Sequence, residues 1–278
     1  MNEHVAGRST ESGAASPLAL VTRPEPRVAV VTMSKPASRN ALSLAMIGEL
    51  RSSFRALAAD DGISAIVLAA EGPAFCAGHD LKELNARRAD GGAGRAFFKE
   101  TMDACAALML EIVRCPKPVI AAVHATATAA GCQLVATCDL AVAAETANFC
   151  TPGVNIGLFC STPMVALTRN VPRKRAMEML LLGDMIGAAD AAEYGLVNRV
   201  VPAVEVMAEA LTLARRIAAK SPVTVAIGKE AFYAQIEQPL ADAYSYAANV
   251  MVENMLRRDA EEGIGAFLEK RKPEWKGC

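Results

Sequence analysis

Two short stretches of the chain carry residue types and spacings suited to the chemistry of a carbonyl oxygen. The first is Glu71-Gly72-Pro73-Ala74-Phe75-Cys76-Ala77-Gly78-His79-Asp80-Leu81-Lys82-Glu83-Leu84. The apolar run Ala65 to Ala70 leads into it and reads as a buried strand, and after Asp80 the pattern turns helical. Gly78 permits a sharp turn where strand becomes helix. Asp80 suits a helix N-cap, because its carboxylate accepts from the free N–H groups of the first turn. A junction of this kind leaves backbone N–H groups pointing into open space, where they can hold a negative oxygen. Taken alone, the stretch is equally well an ordinary strand-to-helix turn. The second stretch, Ala127-Thr128-Ala129-Ala130-Gly131-Cys132-Gln133-Leu134, follows another buried run, Pro118 to Val123, and opens a short helix. Two such junctions can aim two N–H groups at one oxygen, which is the design of an oxyanion hole.

The elements that must position these stretches can be read along the chain. Leu18 to Val21 and Val28 to Met33 are predicted as strands joined by a proline-rich turn. Asn40 and Ser43 precede a helix whose Leu44, Ile47, Leu50, Phe54 and Leu57 fall three or four apart and form one apolar face. Ala89 to Gly94 reads as a glycine-rich loop, followed by a long helix from about Arg95 to Arg114 that stops before Pro116 and Pro118. Leu140 to Ala143 reads as another short strand. Alternation of strands and helices implies right-handed β–α crossovers. From about Thr162 the pattern is mostly helical. It has apolar stripes at Met177, Leu180 and Leu181, at Met207, Leu211, Ala214 and Ala218, and at Tyr244, Ala247, Val250, Met251 and Met255. Ordinary core packing accounts for such stripes.

Composition removes several classes of function. The 278 residues carry 29 basic and 30 acidic side chains, for a formal net charge of −1. A balance of this kind argues against a nucleic-acid or anionic-membrane surface. No uncharged apolar run is long enough to span a bilayer. Met1 to Ser16 is small and polar, lacks the apolar core of a secretory signal, and reads as a flexible tail. The eight cysteines form no C-x-x-C pair, and the three histidines are scattered, so a zinc site is not expected. Thiols within apolar runs act as small core residues and suit a reducing cytoplasm.

The two stretches resemble the oxyanion segments of the crotonase (enoyl-CoA hydratase/isomerase) superfamily. Ser38-Arg39-Asn40-Ala41-Leu42, Phe149 to Gly157 and Ala188 to Val197 are further matches, in the expected order, and the similarity runs from about Leu18 onward. The resemblance implies an α/β fold with a crotonase-like ββα spiral core over residues 17–202. It also implies a helical C-terminal trimerisation region over 203–278 and assembly as a homotrimer or dimer of trimers. The implied ligand is a coenzyme A thioester, with no covalently bound cofactor. The implied oxyanion donors are the N–H groups of His79 and Ala130, although family members usually have glycine where this chain has Ala130. Arg39 and Ala41 would lie near the ligand's mouth, and Ala77, His79, Asp80, Leu81 and Lys82 would flank the coenzyme. Lys82 and Lys229 are candidate phosphate partners, an exposed solubilising role being at least as good a reading of Lys229.

An oxyanion hole stabilises charge but moves no protons. The family's hydratases use two glutamates for that, and at those positions this chain has Gln133 and Gly153. An amide does not exchange a proton near neutral pH, and glycine has no side chain. Hydration by the usual route is therefore unsupported. His79 belongs to the type whose ordinary pKa, about 6.5, suits a base, although a structural role ranks ahead of it. Glu83 reads as part of a solvated helix face. Cys160 and Ser161 fall near accessory catalytic positions of related enzymes and read first as pocket-shaping residues, and no spacing joins Cys160 to His79 as a nucleophilic pair. Two functions remain: a lyase, isomerase or hydrolase of CoA thioesters, and a non-catalytic acyl-CoA binding or regulatory protein.

Overall fold

The computed structural model of the protein describes residues 16–278, and residues 1–15 of the expected tail lie outside the described residues. In chain order the elements are β1 (Ala19–Glu25), β2 (Val28–Met33), α1 (Leu44–Ala58), β3 (Ala65–Ala70), α2 (Leu81–Ala86) and α3 (Gly92–Arg114). Next come β4 (Val119–Val123), β5 (Ala127–Thr128), α4 (Ala130–Thr137), β6 (Leu140–Ala144) and β7 (Asn148–Cys150). They are followed by α5 (Pro163–Asn170), α6 (Arg173–Leu182), β8 (Ile186–Gly187), α7 (Ala188–Glu193) and β9 (Arg199–Val201). The chain closes with α8 (Val206–Ala218), α9 (Pro222–Gln235), α10 (Leu240–Met255) and α11 (Arg258–Leu268).

One sheet has the strand order β1-β2-β3-β4-β6-β9 and a second, smaller one β5-β7-β8. Only β1 is antiparallel in the large sheet. Parallel strands are covered on both faces, which is why β3 and β4 are apolar throughout and buried. Helix α8 packs against β3, β4 and β6. Because β3 and β4 are parallel neighbours, their carboxyl ends lie side by side. The two candidate stretches follow those ends, where open α/β sheets bind ligands.

Several expectations are corrected by the elements themselves. The proline-rich segment after Val21 is largely strand, since β1 continues through Pro24 to Glu25. An edge strand tolerates a missing N–H. Helix α3 starts at Gly92, inside the expected loop. The region after Thr162 contains two short strands, and β9 completes the large sheet. In α6 the buried residues are Ala176, Met179 and Leu180, while Met177 and Leu181 are exposed. In α8 Val206, Ala210, Leu213 and Ala214 are buried and Met207 is exposed. In α10 only Ala243 is buried, and Tyr244, Met251 and Met255 all face outward. No described helix is long and apolar enough to cross a membrane.

Candidate active site

The first junction is a bridge with one unpaired donor. The Leu42 N–H donates to Gly78 O at 2.8 Å, and the Asp80 N–H donates to Leu42 O at 3.3 Å. In a parallel bridge those bonds use the groups on either side of His79 and leave its own N–H facing away. Among the described residues the His79 N–H has no acceptor. Gly78 has φ +86°, a conformation that glycine adopts without penalty. Asp80 caps α2 as expected, accepting from the Lys82 and Glu83 N–H groups at 3.0 and 3.2 Å. Glu83 is not a solvated face: its Oε2 accepts from the Leu44 N–H at 3.0 Å and ties α2 to the start of α1.

Asn40 and His124 hold this segment from below. Asn40 is fully buried, and its Nδ2 donates to Glu71 O at 2.8 Å and Ala74 O at 2.9 Å while its Oδ1 accepts from the Lys35 N–H. Its φ of 52°, next to Arg39 at 53°, is one that asparagine tolerates better than most residues. His124 Nε2 lies 2.8 Å from Gly72 O. Because a carbonyl only accepts, that nitrogen carries the proton. The role of His124 has no signature in the sequence, since its partner is a backbone oxygen on another loop.

The second junction is zipped onto the first. The Phe75 and Cys76 N–H groups donate to Thr126 O at 3.0 and 3.3 Å, and the Thr128 N–H donates to Cys76 O at 2.9 Å. The Ala129 N–H donates to Cys150 O. A Cβ on Gly131 would lie 2.2 Å from Cys76 O, so only glycine fits there. A Cβ on Gly78 would lie 2.9 Å from Ala129 Cβ and 3.4 Å from Ala130 N. Ala129 adopts φ 50°, ψ −117° at the N-cap of α4, and that strained turn sets the direction of the next N–H. Ala130 is fully buried, and its N–H has no acceptor among the described residues. As the first residue of α4, Ala130 has an N–H that the helix itself cannot pair. The unpaired His79 and Ala130 N–H groups lie on abutting backbone turns.

Residues 24–278 match the enoyl-CoA hydratase/isomerase family. The chain belongs to that family. It is 47% identical over 254 residues to enoyl-CoA hydratase domain-containing protein 3, mitochondrial, of Rattus norvegicus, covering 91% of this chain and 83% of the relative. The human protein of that name is 49% identical over 245 residues, covering 88% and 79%. A crystal structure of enoyl-CoA hydratase from Mycobacterium smegmatis superposes with a TM-score of 0.89 at 50% identity, covering 94% of this chain and 99% of that one. The crystal structure of human enoyl Coenzyme A hydratase domain-containing protein 3 gives 0.88 at 46% identity, covering 93% and 100%. These neighbours bear out the crotonase-type α/β fold. The cytoplasmic location expected from the thiols is contradicted, because the rat and human relatives are named mitochondrial. Free thiols report redox conditions and do not single out one compartment.

At Gln133 and Gly153, the positions that the resemblance equates with the glutamates of the family's hydratases, this enoyl-CoA hydratase/isomerase chain carries no carboxylate. Gln133 is buried on α4, and its Oε1 lies 4.0 Å from Cys105 Sγ on α3. A Cβ on Gly153 would lie 2.8 Å from Leu158 O and 2.9 Å from Cys160 Sγ. The room for a side chain at 153 is thus already taken. Ser161 Oγ lies 3.3 Å from Phe159 O, to which it donates. The His79 ring has a buried Nε2 without a partner, and burial pushes its pKa down to about 4, so the imidazole is neutral at ordinary pH. No hydrogen bond joins it to Cys160 among the described residues.

The expected coenzyme contacts divide into two groups. Arg39, Ala77, Leu81 and Lys82 are exposed beside the two turns, and Ala41 is buried beneath them. Lys229 departs from expectation. Its Nζ is buried and donates to Ile112 O at 2.9 Å, Lys117 O at 3.2 Å and Asp139 Oδ2 at 2.7 Å. Asp139 also accepts from the Val119 N–H and from Tyr233 Oη. With its three donors used, Lys229 anchors α9 to the core and has none left for a phosphate.

Proposed function

We propose that the protein binds an acyl-CoA thioester with its carbonyl oxygen between the N–H groups of His79 and Ala130. There it acts as a lyase, isomerase or hydrolase of CoA thioesters without the usual hydratase glutamates. The observation that carries this reading is the pair of orphaned N–H groups on turns whose backbones touch. Removal of an α-proton, or addition at the β-carbon, drives negative charge onto the thioester oxygen. Fixed donors stabilise that enolate, and loss of one such donor typically costs about 3 kcal/mol. The exposed Arg39 and Lys82, with Ala41, Ala77, Asp80 and Leu81, line the approach of the coenzyme, and Lys82 is the cation for its phosphates. Gln133 and Gly153 favour a second reading, a binding or regulatory protein that holds acyl-CoA without turning it over.

Single-turnover assays over a panel of acyl-CoAs, with calorimetry on the same samples, separate the readings. Binding with turnover of at least one thioester is expected. Binding without any turnover selects the second reading, and absence of binding refutes both. Crotonyl-CoA is expected to be hydrated poorly or not at all. Loss of its conjugated absorbance at around 10 per second, an ordinary enzyme rate, would show that another residue supplies the base.

The helical region 203–278 is the assembly surface in this reading, joining subunits as a homotrimer or a pair of trimers. Leu240, Tyr244, Leu256 and Phe267 are each more than 70% exposed on the single chain, and contact between subunits would remove such apolar side chains from water. Light scattering that found only monomer at micromolar concentration would overturn it.

A further inference from the structure

Resting on the acyl-CoA reading above, we infer that the Gln133 amide selects an acyl group that itself carries a carboxylate, donating from Nε2 to that carboxylate while the Ala130 N–H holds the thioester oxygen. The starting point is one unused donor. Gln133 is 4% exposed, and its side chain has a single hydrogen-bond contact among the described residues, made through Oε1. Its Nε2 has no acceptor among them, whereas buried side-chain amides are ordinarily paired.

The other end of the amide sets its orientation. Oε1 faces Cys105 Sγ on α3 at 4.0 Å. Burial pushes the Cys105 thiol up to about 12, so the sulfur keeps its proton and is the donor of that pair. An amide whose oxygen faces α3 turns its NH2 away from α3. Helix geometry then places the NH2. Ala130 is the first residue of α4 and Gln133 follows three residues on, so the two share one face with Cβ atoms about 5–6 Å apart. Side chains on a helix lean toward its N-terminus and cover the preceding turn. The Gln133 amide is therefore carried back over the turn that opens with the unpaired Ala130 N–H. That turn also abuts the first junction, where a Cβ on Gly78 would lie 3.4 Å from Ala130 N.

The charges at this end of α4 favour an anion. The amino end of a helix carries partial positive charge. The carboxylates of the first junction are already committed: Asp80 accepts from the Lys82 and Glu83 N–H groups, and Glu83 accepts from the Leu44 N–H. Gln133 and Gly153 stand where the resemblance gives the hydratases two glutamates, so the repulsion that those would exert on an anionic acyl group is absent. Glutamine keeps the shape of glutamate but replaces an acceptor with a donor. The ligand class that uses all of this is a malonyl-type thioester. Its carboxylate sits on the α-carbon, next to the thioester carbonyl, so both groups can face one helical turn. A plain saturated acyl chain leaves Nε2 unused.

Calorimetry with malonyl-CoA and butyryl-CoA on the full-length protein tests the inference, because the two ligands share coenzyme and thioester and differ at the acyl end. The wild type should bind malonyl-CoA roughly 10-fold or more tighter, the scale of one hydrogen bond to a charged group. Gln133→Leu should erase that ratio. Gln133→Glu should invert it, because carboxylate then faces carboxylate, and the inversion should weaken as the pH is lowered and the new side chain takes up a proton. Circular dichroism reads the folding of each variant, and the wild-type ratio alone decides if neither variant folds. Wild-type protein that binds the two thioesters equally, or butyryl-CoA the tighter, would overturn the inference, as would a folded Gln133→Leu variant with the wild-type ratio. Failure of the wild type to bind either thioester would overturn the acyl-CoA reading itself.

Discussion

Gly78→Ala offers the sharpest test of the two-turn site, because its cost can be worked from contacts. The added Cβ would lie 2.9 Å from Ala129 Cβ and 3.2 Å from Thr128 O. Carbon atoms in contact settle at about 3.5–4.0 Å, so the turns must part by roughly 0.6 Å or more. Alanine at φ +86° adds a backbone penalty of about 1–2 kcal/mol. Overall destabilisation of about 1–3 kcal/mol is expected, small enough for a chain of this size to stay folded. The effect on the site should be disproportionate. The same Cβ would lie 3.4 Å from Ala130 N, so the parting falls on the turn of a proposed donor, and misplacement by about 1 Å can cost ~100-fold. Acyl-CoA affinity should fall roughly 10-fold or more, about 1.4 kcal/mol. The companion change is Ala129→Gly, which removes the nearest clashing carbon and relieves a residue at φ 50°. Alone it should stabilise by about 1 kcal/mol, and in the double variant it should restore much of the lost affinity. Urea unfolding and calorimetry on the four proteins complete the cycle. A folded Gly78→Ala protein with wild-type affinity would refute the placement, as would a double variant no better than the single.

Gly153→Glu should not restore hydration of crotonyl-CoA, because Leu158 O and Cys160 Sγ occupy its path. It should cost about 1–3 kcal/mol by overpacking, and efficient hydration by the folded variant would refute this. The His79 ring should make the fold acid-sensitive. Its pKa is lowered to about 4 from the ordinary 6.5, so the unfolded chain takes up a proton first as pH falls. Stability should be full above about 6.5 and decline towards 4, by at most about 3 kcal/mol. His79→Gln should flatten that decline in urea titrations, and an identical pH profile for the variant would argue against it. Lys229→Met strands the Asp139 carboxylate and should destabilise by about 3 kcal/mol. It should leave acyl-CoA affinity unchanged, whereas a selective loss of affinity in calorimetry would restore the phosphate role.

How much of this was legible beforehand depended on the range of the interaction. Gly78 and Asp80 were readable because a positive φ and an N-cap are properties of a few consecutive residues. Strands β3 and β4 were readable because burial on both faces leaves an unbroken apolar run. Lys229 was not readable, since its partner Asp139 is 90 residues away and nothing local marks a lysine that will be buried. Glu83 was missed for the same reason, its acceptor role resting on a backbone N–H of another helix. The stripes of α6 and α8 were displaced by about one residue, because several apolar residues on each helix offer more than one face. The filled space at Gly153 depends on a turn five to seven residues on, which residue identity alone does not describe.

The interlock between Cys76 and Gly131 has a consequence for redesign. Both donor turns are spaced by backbone pressed on backbone, with Cys76 O where any Gly131 side chain would begin. The half of the candidate site proposed to stabilise charge therefore leaves almost no room for side-chain exchange. The half that would handle protons and the acyl chain sits on separate supports, the helix face at Gln133 and the turn from Gly153 to Cys160. A library confined to that turn can vary the chemistry while the anchor keeps its shape. This frame is a modular one, in which one part is rigid by construction and the other is open to variation.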